Sequence, residues 1–453
     1  MTPDPTRELA EHLASLTLDG VTPSARDFAT DLLLDALVCA LAADHAEDIA
    51  PFAAMADVVG GPGVSTIVGR SEGASLATAT MTNGFRITAV TACDVYAPAE
   101  MHSTPAIVPP ALALAEREEV SGAALLLAVI AGLETVVRVA RSFDRTEYKA
   151  RGWHSPGVIG PFGAAAAAAS VLGLDAERTG EALAIAGSQS AGTWAARGTP
   201  TVKLHQAHAA LAGLTSALLA ADGFIGAASI LAGEEGGMYT AFAPGQPERV
   251  TEGFGSEWAL EEISMRLWPG GARVQPTIAA TRELLATSGL RWEEIDSVIV
   301  RVAPTVARAQ EWAARPESTF AALASIHFTL ALTLRYGSAA PSRFVADSYR
   351  DPELHDFIER RLEVVGAEDV PALGSTVVVT TRDGSVAEAS VSVPRGDPRS
   401  RATRDELAAK AHLFADDRIG ADAVDELIGT VRSIADQPRL DGLLALIRRN
   451  AGA

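Results

Sequence analysis

Cysteine is nearly missing from this chain: Cys39 and Cys93 are the only two in 453 residues. Two thiols make neither a disulfide framework nor a cysteine-ligated zinc site, so buried free thiols in a reducing cytoplasm are expected. Aromatic residues are scarce as well, at 5% against 48% hydrophobic. Ala and Gly supply much of the apolar count, which suits closely packed helices better than a strand-rich protein. Positive charge is in short supply, with 37 Lys and Arg against 57 Asp and Glu and a formal net charge of −20. That balance argues against nucleic acid or an anionic membrane surface as partner. The start, "MTPDPTRELAEHL", lacks a basic segment followed by an apolar run, so no signal peptide is expected. The longest apolar windows, "SGAALLLAVIAGLETVV" and "IGPFGAAAAAASVLGL", read as too short or too rich in Ala and Gly to span a bilayer. A cytoplasmic globular protein is the expectation.

What is there divides in two. At 453 residues the chain is too long for one compact core. Up to about residue 254 it reads as successive helices. "SARDFATDLLLDALVCALAAD" starts at Ser24 as a cap, and "SGAALLLAVIAGLETVVRVARSF" repeats apolar residues at helical spacing. "HAALAGLTSALLAADG" stops at Gly223. The block "GAAAAAASVLGL" follows Ser155 and Pro156, a cap and first-turn pair, and Gly173 closes it. Side chains this small let helix backbones approach, which places this helix at the centre. Then the texture changes. "EEIDSVIVRVAP" and "GSTVVVTTRDGSVAEASVSVP" are alternating β-branched runs, with "RDG" marking a hairpin. Two helical stretches lie between them. The fold class is therefore mainly α, a large all-helical domain with an inserted, smaller α+β lid. The boundaries are 1–262 for the first helical part, 263–395 for the lid and 396–453 for the helical return.

Several polar residues stand out. His154 lies in a loop directly before the alanine block, where helix amides and dipole favour an anion. A neutral imidazole there can take a proton from carbon while the helix end stabilises an enolate. From Arg138 to His154 five basic residues meet two acidic ones, net +3, in a chain of −20. Such a segment suits a substrate bearing carboxylates, although Arg138, Arg141 and Arg145 also fit a solvated helical face. Tyr148, Lys149 and Arg151 lie nearer the loop, and a Tyr or Lys of lowered pKa could be the second acid or base. His205 and His208 have the i, i+3 spacing of metal ligands, but no third ligand accompanies them, so no metal is expected. His45 and His327 read as structural. "GGPG" at 60–63 and "GEEGG" at 233–237 are turns, not phosphate cradles.

The stretches "MHSTPAIVPPALALAE", "RGWHSPGVIGPFGAAAAAASVLGLD", "ALAIAGSQSAG", "KLHQAHAALAGLTSALLAADGFIGAASIL", "STFAALASIHFTLALTLRYG" and "PRGDPRSRATRDELAAKAHLFA" resemble, in order, the 2-methylcitrate dehydratase (MmgE/PrpD) family. That family also includes cis-aconitate decarboxylase and iminodisuccinate epimerase. The resemblance implies a homodimer, an active site between the two domains, and no metal or organic cofactor. It also implies catalytic roles for His102 and His154. Three positions depart from the family pattern. In "TACDVYAPAEMHS" only Asp94 remains of an Asp-rich stretch, with Thr91 in place of the first Asp. In "TVKLHQAH" Val202 takes the place of a lysine, and Lys203 is shifted by one. Gln275 replaces a lid histidine in "WPGGARVQPTIAA".

The expected function is proton abstraction alpha to a carboxylate of a small di- or tricarboxylate, with an epimerase or isomerase outcome. His102, His154, Tyr148 and Lys149 are the catalytic candidates. Asp94, Arg151, Lys203, Arg273 and Gln275 are the substrate-binding ones. Gly270 and Gly271 beside Pro269 are read as a hinge, with Arg273 and Gln275 facing the cleft. The rivals are a dehydratase or decarboxylase using substitutes such as Asp94, Lys203 or Tyr96, and a silent member of the fold that only binds.

Overall fold

A computed structural model describes residues 4–310 and 313–448. The last two residues of the helical tail read from the sequence, Arg449 and Asn450, lie outside the described residues.

The alanine-rich helix is Ser155–Val171, and nearly every residue of it is buried. It lies between helices Gly122–Ser142 and Thr201–Ala221. A Cβ added at Gly163 would come 2.3 Å from Val136 Cγ1 and 2.8 Å from the Gly132 carbonyl. One added at Gly213 would come 2.2 Å from Ala164 Cβ and 2.4 Å from Ala165 N. Side chains are short here because three backbones nearly touch, and contact at that range replaces the packing that larger residues would give. The cap is not the expected pair: His154 occupies the cap position without a side-chain cap bond, and Ser155 Oγ donates instead to the Ala99 carbonyl at 2.6 Å. Likewise Thr22, not Ser24, caps helix Pro23–Leu41, because Pro23 fits the first helical position.

Gly122–Ser142 is 21 residues and apolar enough, by length and composition, to cross a membrane, so the sequence reading of its window as too short is corrected. It is a core helix of the fold, with 83% of its most apolar 18-residue window buried. Both cysteines are free and buried.

The second core lies in the α+β unit, from Leu267 to Ala389. Its sheet runs Leu362–Gly366, Ile295–Val302, Ser375–Thr381, Val386–Val391. The first pair is parallel, with Val300 opposite Val364, and the others are antiparallel. The parallel pair needs a crossover, which carries helices Ile326–Tyr336 and Pro352–Arg361. The hairpin turns at Arg382–Asp383–Gly384, where Gly384 has φ +86°. The chain then returns through Arg404–Ile419 to pack on Pro23–Leu41. The architecture is mainly α with a smaller α+β part, as the sequence pattern implies.

One buried charge network joins these parts. Lys410 pairs with Asp35 and donates to the carbonyls of Ala92 (2.9 Å) and Arg266 (2.7 Å). Arg266 in turn donates to the Cys93 carbonyl at 2.6 Å and the Gly270 carbonyl at 3.2 Å. Three chain segments far apart in sequence thus meet behind residues 91–102.

Candidate active site

His102 comes from a short hairpin-like loop in which Tyr96 and Met101 exchange backbone hydrogen bonds. The loop is anchored by Asp94, fully buried, whose carboxylate accepts from Ser103 N (2.9 Å), Thr104 N (2.9 Å) and Thr104 Oγ1 (2.5 Å). Asp94 thereby satisfies the first amides of helix Thr104–Arg117. It is not free to hold substrate, so the binding role assigned to it from sequence is corrected. Its carbonyl, at 2.8 Å, takes the proton of His102 Nδ1, since a carbonyl can only accept. The neutral ring therefore carries its hydrogen on Nδ1 and leaves Nε2 with a bare lone pair, the form a base requires. Glu100 and Thr91 hold left-handed backbone at φ +50° and +53°, as strained residues at functional sites do.

The Arg266 guanidinium stands 3.5 Å from the same Nδ1. Both groups are donors, so the contact is electrostatic rather than a hydrogen bond. Burial first, and then the Arg266 charge, hold the His102 pKa down to about 4.

His154 is 3% exposed, and its Nδ1 lies 2.9 Å from Nδ1 of His205. Burial, then His205, then His102 lower its pKa to about 3. The His102 imidazole is the last and smallest of the three causes. The loops are also joined directly: Ser155 Oγ and Arg145 Nη2 both donate to the Ala99 carbonyl. Trp194 closes the side of the site, its ring centroid 5.2 Å from that of His154. The loop bearing it is pinned by Trp194 N to the Gly152 carbonyl (2.7 Å) and by His154 N to the Gly192 carbonyl (3.1 Å).

The other sequence candidates fall elsewhere. Tyr148 is fully buried under the Arg145 guanidinium, 4.6 Å from its ring centroid. Burial drives its phenol well above the ordinary value, so it is no base of lowered pKa. Lys149 is exposed and lies 3.6 Å from Glu100, and Arg151 is exposed beside Glu147. Neither points into a closed site. The basic segment is likewise consumed by structure. Arg138 is buried against Glu134 and donates to the carbonyls of Val250, Glu252 and Glu257. Arg141 holds the carbonyls of Arg249 and Glu252.

Lys203 is buried, with Nζ at 2.6 Å from both Asp48 Oδ2 and the Ala89 carbonyl. It closes the end of helix Leu76–Ala89 rather than reaching substrate. Gln275 spends its amide on its own turn, bonding Trp268 N, Trp268 O and Gly270 O. Gly270 is no loose hinge: its N donates to the Thr91 carbonyl at 3.0 Å, and at φ +120° any Cβ would meet the Leu323 carbonyl. Arg273 keeps its side chain outside the fold's own bonding network. It is exposed and, among the described residues, forms no ion pair. No group of three potential metal ligands occurs among the described residues.

Sequence reasoning missed Arg266 and the pairing of His205. Arg266 carried no signal at all. The i, i+3 spacing of His205 and His208 points to metal ligation, not to a pairing of His205 with His154.

Comparison with known proteins agrees with this layout. The MmgE/PrpD N-terminal domain matches residues 7–250, and the MmgE/PrpD C-terminal domain matches residues 268–436. The chain is 29% identical to the cis-aconitate decarboxylase-like protein oryM of Aspergillus oryzae, covering 98% of this chain and 97% of that protein. It is 26% identical to cis-aconitate decarboxylase of Aspergillus terreus, over 86% and 85% of the two chains. The human cis-aconitate decarboxylase is also 26% identical, over 82% and 79%. With two family domains matched in order across a helical core and its α+β partner, the chain belongs to the MmgE/PrpD family.

Proposed function

We propose that this chain is a lyase that decarboxylates a small polycarboxylate by proton transfer at carbon, using its own side chains. The observation that carries the reading is the pair of neutral histidines, His154 buried and His102 half-buried, the latter locked with a bare Nε2 by a backbone carbonyl. The relatives named above, decarboxylases of cis-aconitate, support the same class. In the step envisaged, the carbon–carbon bond to one carboxylate breaks and carbon dioxide leaves. The electron pair shifts into the system conjugated with a remaining carboxylate, and a proton is delivered to carbon. A bound polyanion raises the imidazole pKa, so the substrate itself makes protonation of His102 accessible. Arg273, unpaired among the described residues, is the candidate for a substrate carboxylate. The homodimer implied by the family belongs to this reading, and a monomer by light scattering at micromolar concentration would contradict it.

Epimerisation is the second reading. What favours it is that Lys203, Asp94 and Gln275 are all engaged in the fold, which leaves the two histidines as the acid–base groups of the reading. Turnover of candidate di- and tricarboxylates in D₂O separates the outcomes. Decarboxylation gives carbon dioxide with one carbon-bound deuterium, epimerisation gives deuterium alone, and dehydration gives a new alkene without carbon dioxide. His102→Ala and His154→Ala should each lose about 10²–10⁴ in rate with the fold retained. Wild-type rates in both variants would end the proposal.

A further inference from the structure

The Nδ1–Nδ1 contact between His154 and His205 raises a question that the proposed reaction does not answer by itself. Two imidazole nitrogens 2.9 Å apart share one hydrogen, and the ring that donates it decides what the other ring offers at its Nε2. If His154 donates, its Nε2 is a second bare lone pair. If His205 donates, His154 carries its hydrogen on Nε2.

Two features favour the second arrangement. His154 occupies the cap position of the helix Ser155–Val171, at the positive end of its dipole, although its ring makes no bond to the helix amides. Such a position suits an acceptor, and for this reason cap residues carry side-chain oxygens. The second feature is the other histidine. His102 already has a bare Nε2, so a bare Nε2 on His154 would give the site two bases and no neutral donor. The surroundings fix the contact in place. Gly192 has φ +120°, and a Cβ there would come 3.0 Å from His205 Nδ1. At Gly157 a Cβ would come 2.1 Å from the Ala191 carbonyl and 3.2 Å from His205 Cβ. Loop and helix thus close over the pair.

We propose that His205 is a positioning residue that donates Nδ1–H to His154 Nδ1 and so holds His154 as the Nε2–H tautomer, a neutral donor aimed at the substrate carboxylate whose enolate forms. This rests on the reading of the site as one for carbon-acid chemistry. A neutral imidazole held at a helix N-terminus to polarise a carbonyl oxygen is an arrangement that such chemistry uses elsewhere. The division of labour follows: His102 exchanges the proton with carbon, and His154 stabilises charge on oxygen.

The test reads the tautomer directly. Long-range ¹H–¹⁵N correlation spectra of histidine-labelled, substrate-free protein should show His154 with a protonated Nε2 and an unprotonated Nδ1. The opposite pattern overturns the proposal whatever the enzyme turns over. Two substitutions extend it. His205→Asn keeps a donor near the Nδ1 position and should retain kcat within about tenfold. His205→Asp can only accept, reverses the His154 tautomer and should lose about 10²-fold or more in kcat, with KM less affected. Equal activity of the two variants, with both folded by circular dichroism, also overturns it. Should no polycarboxylate be turned over while the spectrum shows the Nε2–H form, the proposed function fails and the tautomer assignment stands.

Discussion

Asp94 offers the sharpest discrimination between a residue that holds the site and one that holds the substrate. In Asp94→Asn, the amide can present its oxygen to Thr104, which supplies two of the three donors. Its NH₂ then faces the Ser103 amide, where the carboxylate had accepted at 2.9 Å. One buried N–H is left without a partner, at a cost of about 1–3 kcal/mol, and the other two bonds lose their charge assistance, about 1 kcal/mol each. The sum is about 3–5 kcal/mol. With an unfolding entropy of ~2.1 cal/mol/K per residue, a chain of this size loses roughly 1 °C per kcal/mol, so Tm should fall by roughly 3–5 °C. The loop bearing His102 loosens with the cap, and kcat falls because the base is less well placed, while KM changes little. Thermal melts and steady-state kinetics on one preparation give both numbers. A several-fold rise in KM with Tm unchanged would mean that the carboxylate meets substrate, and the capping argument would be wrong.

Other outcomes follow from the same geometry. His102 and His154 titrate near 4 and 3 in the folded protein against 6.5 unfolded, so the unfolded chain binds protons first. Stability is therefore intact above pH 6.5 and declines as pH falls towards the folded values, by up to about 1.4 kcal/mol per pH unit for each ring. Where neutral His102 is the form that starts the reaction, as in proton exchange, the acid limb of kcat/KM should correspondingly lie below pH 5, and an inflection near 6.5 would contradict the burial argument. Arg266→Gln removes the charge beside His102 Nδ1 and should move that limb upward, whereas Arg266→Lys should leave it in place; pH profiles of the two variants decide. Lys149→Ala and Arg151→Ala should change KM by less than about fivefold, since exposed pairs are worth ~1 kcal/mol or less, and a larger KM effect in either would return them to the site.

The parts of this fold legible in the sequence are those governed by nearest neighbours. The alanine block could be placed at the centre because helix approach is limited by Cβ atoms, and Gly163 and Gly213 show the backbones in contact. The hairpin at Asp383–Gly384 was legible from turn chemistry, and the alternation of Ile295–Val302 from its half-buried pattern. The partnerships that set chemistry were not, because they join residues remote in the chain. Arg138 reads as surface until the carbonyls of 250–257 fold over it, although Glu134, one turn earlier, was a local clue. Lys203 looks like a substrate cation until Asp48 reaches it from 155 residues away. Asp94 caps a helix that begins ten residues later, outside any capping motif of fixed spacing. His154 is legible from its place just before the alanine helix and His102 from the family motif. Their tautomers and their low pKa values depend on a carbonyl, an arginine and a second histidine that no pattern connects.

These engagements bear on which bond the enzyme can break. Loss of hydroxide from carbon needs a proton supplied to the departing oxygen, and the positions from which one might come are occupied. The Lys203 ammonium is shared between Asp48 and a helix-end carbonyl, Asp94 accepts three hydrogen bonds, and Gln275 is neutral and folded onto its own turn. Carbon dioxide departs without a proton. It asks only that the electron pair left behind be accommodated and that carbon be protonated afterwards, which two imidazoles with unlike free nitrogens can do. On the proposed reading these engagements weigh against dehydration and leave decarboxylation and simple proton exchange within reach. Between those two the fold is indifferent, and the substrate decides: a carboxylate placed where its C–C bond can align with the conjugated system leaves, and one held in the plane of that system stays while its neighbour exchanges a proton.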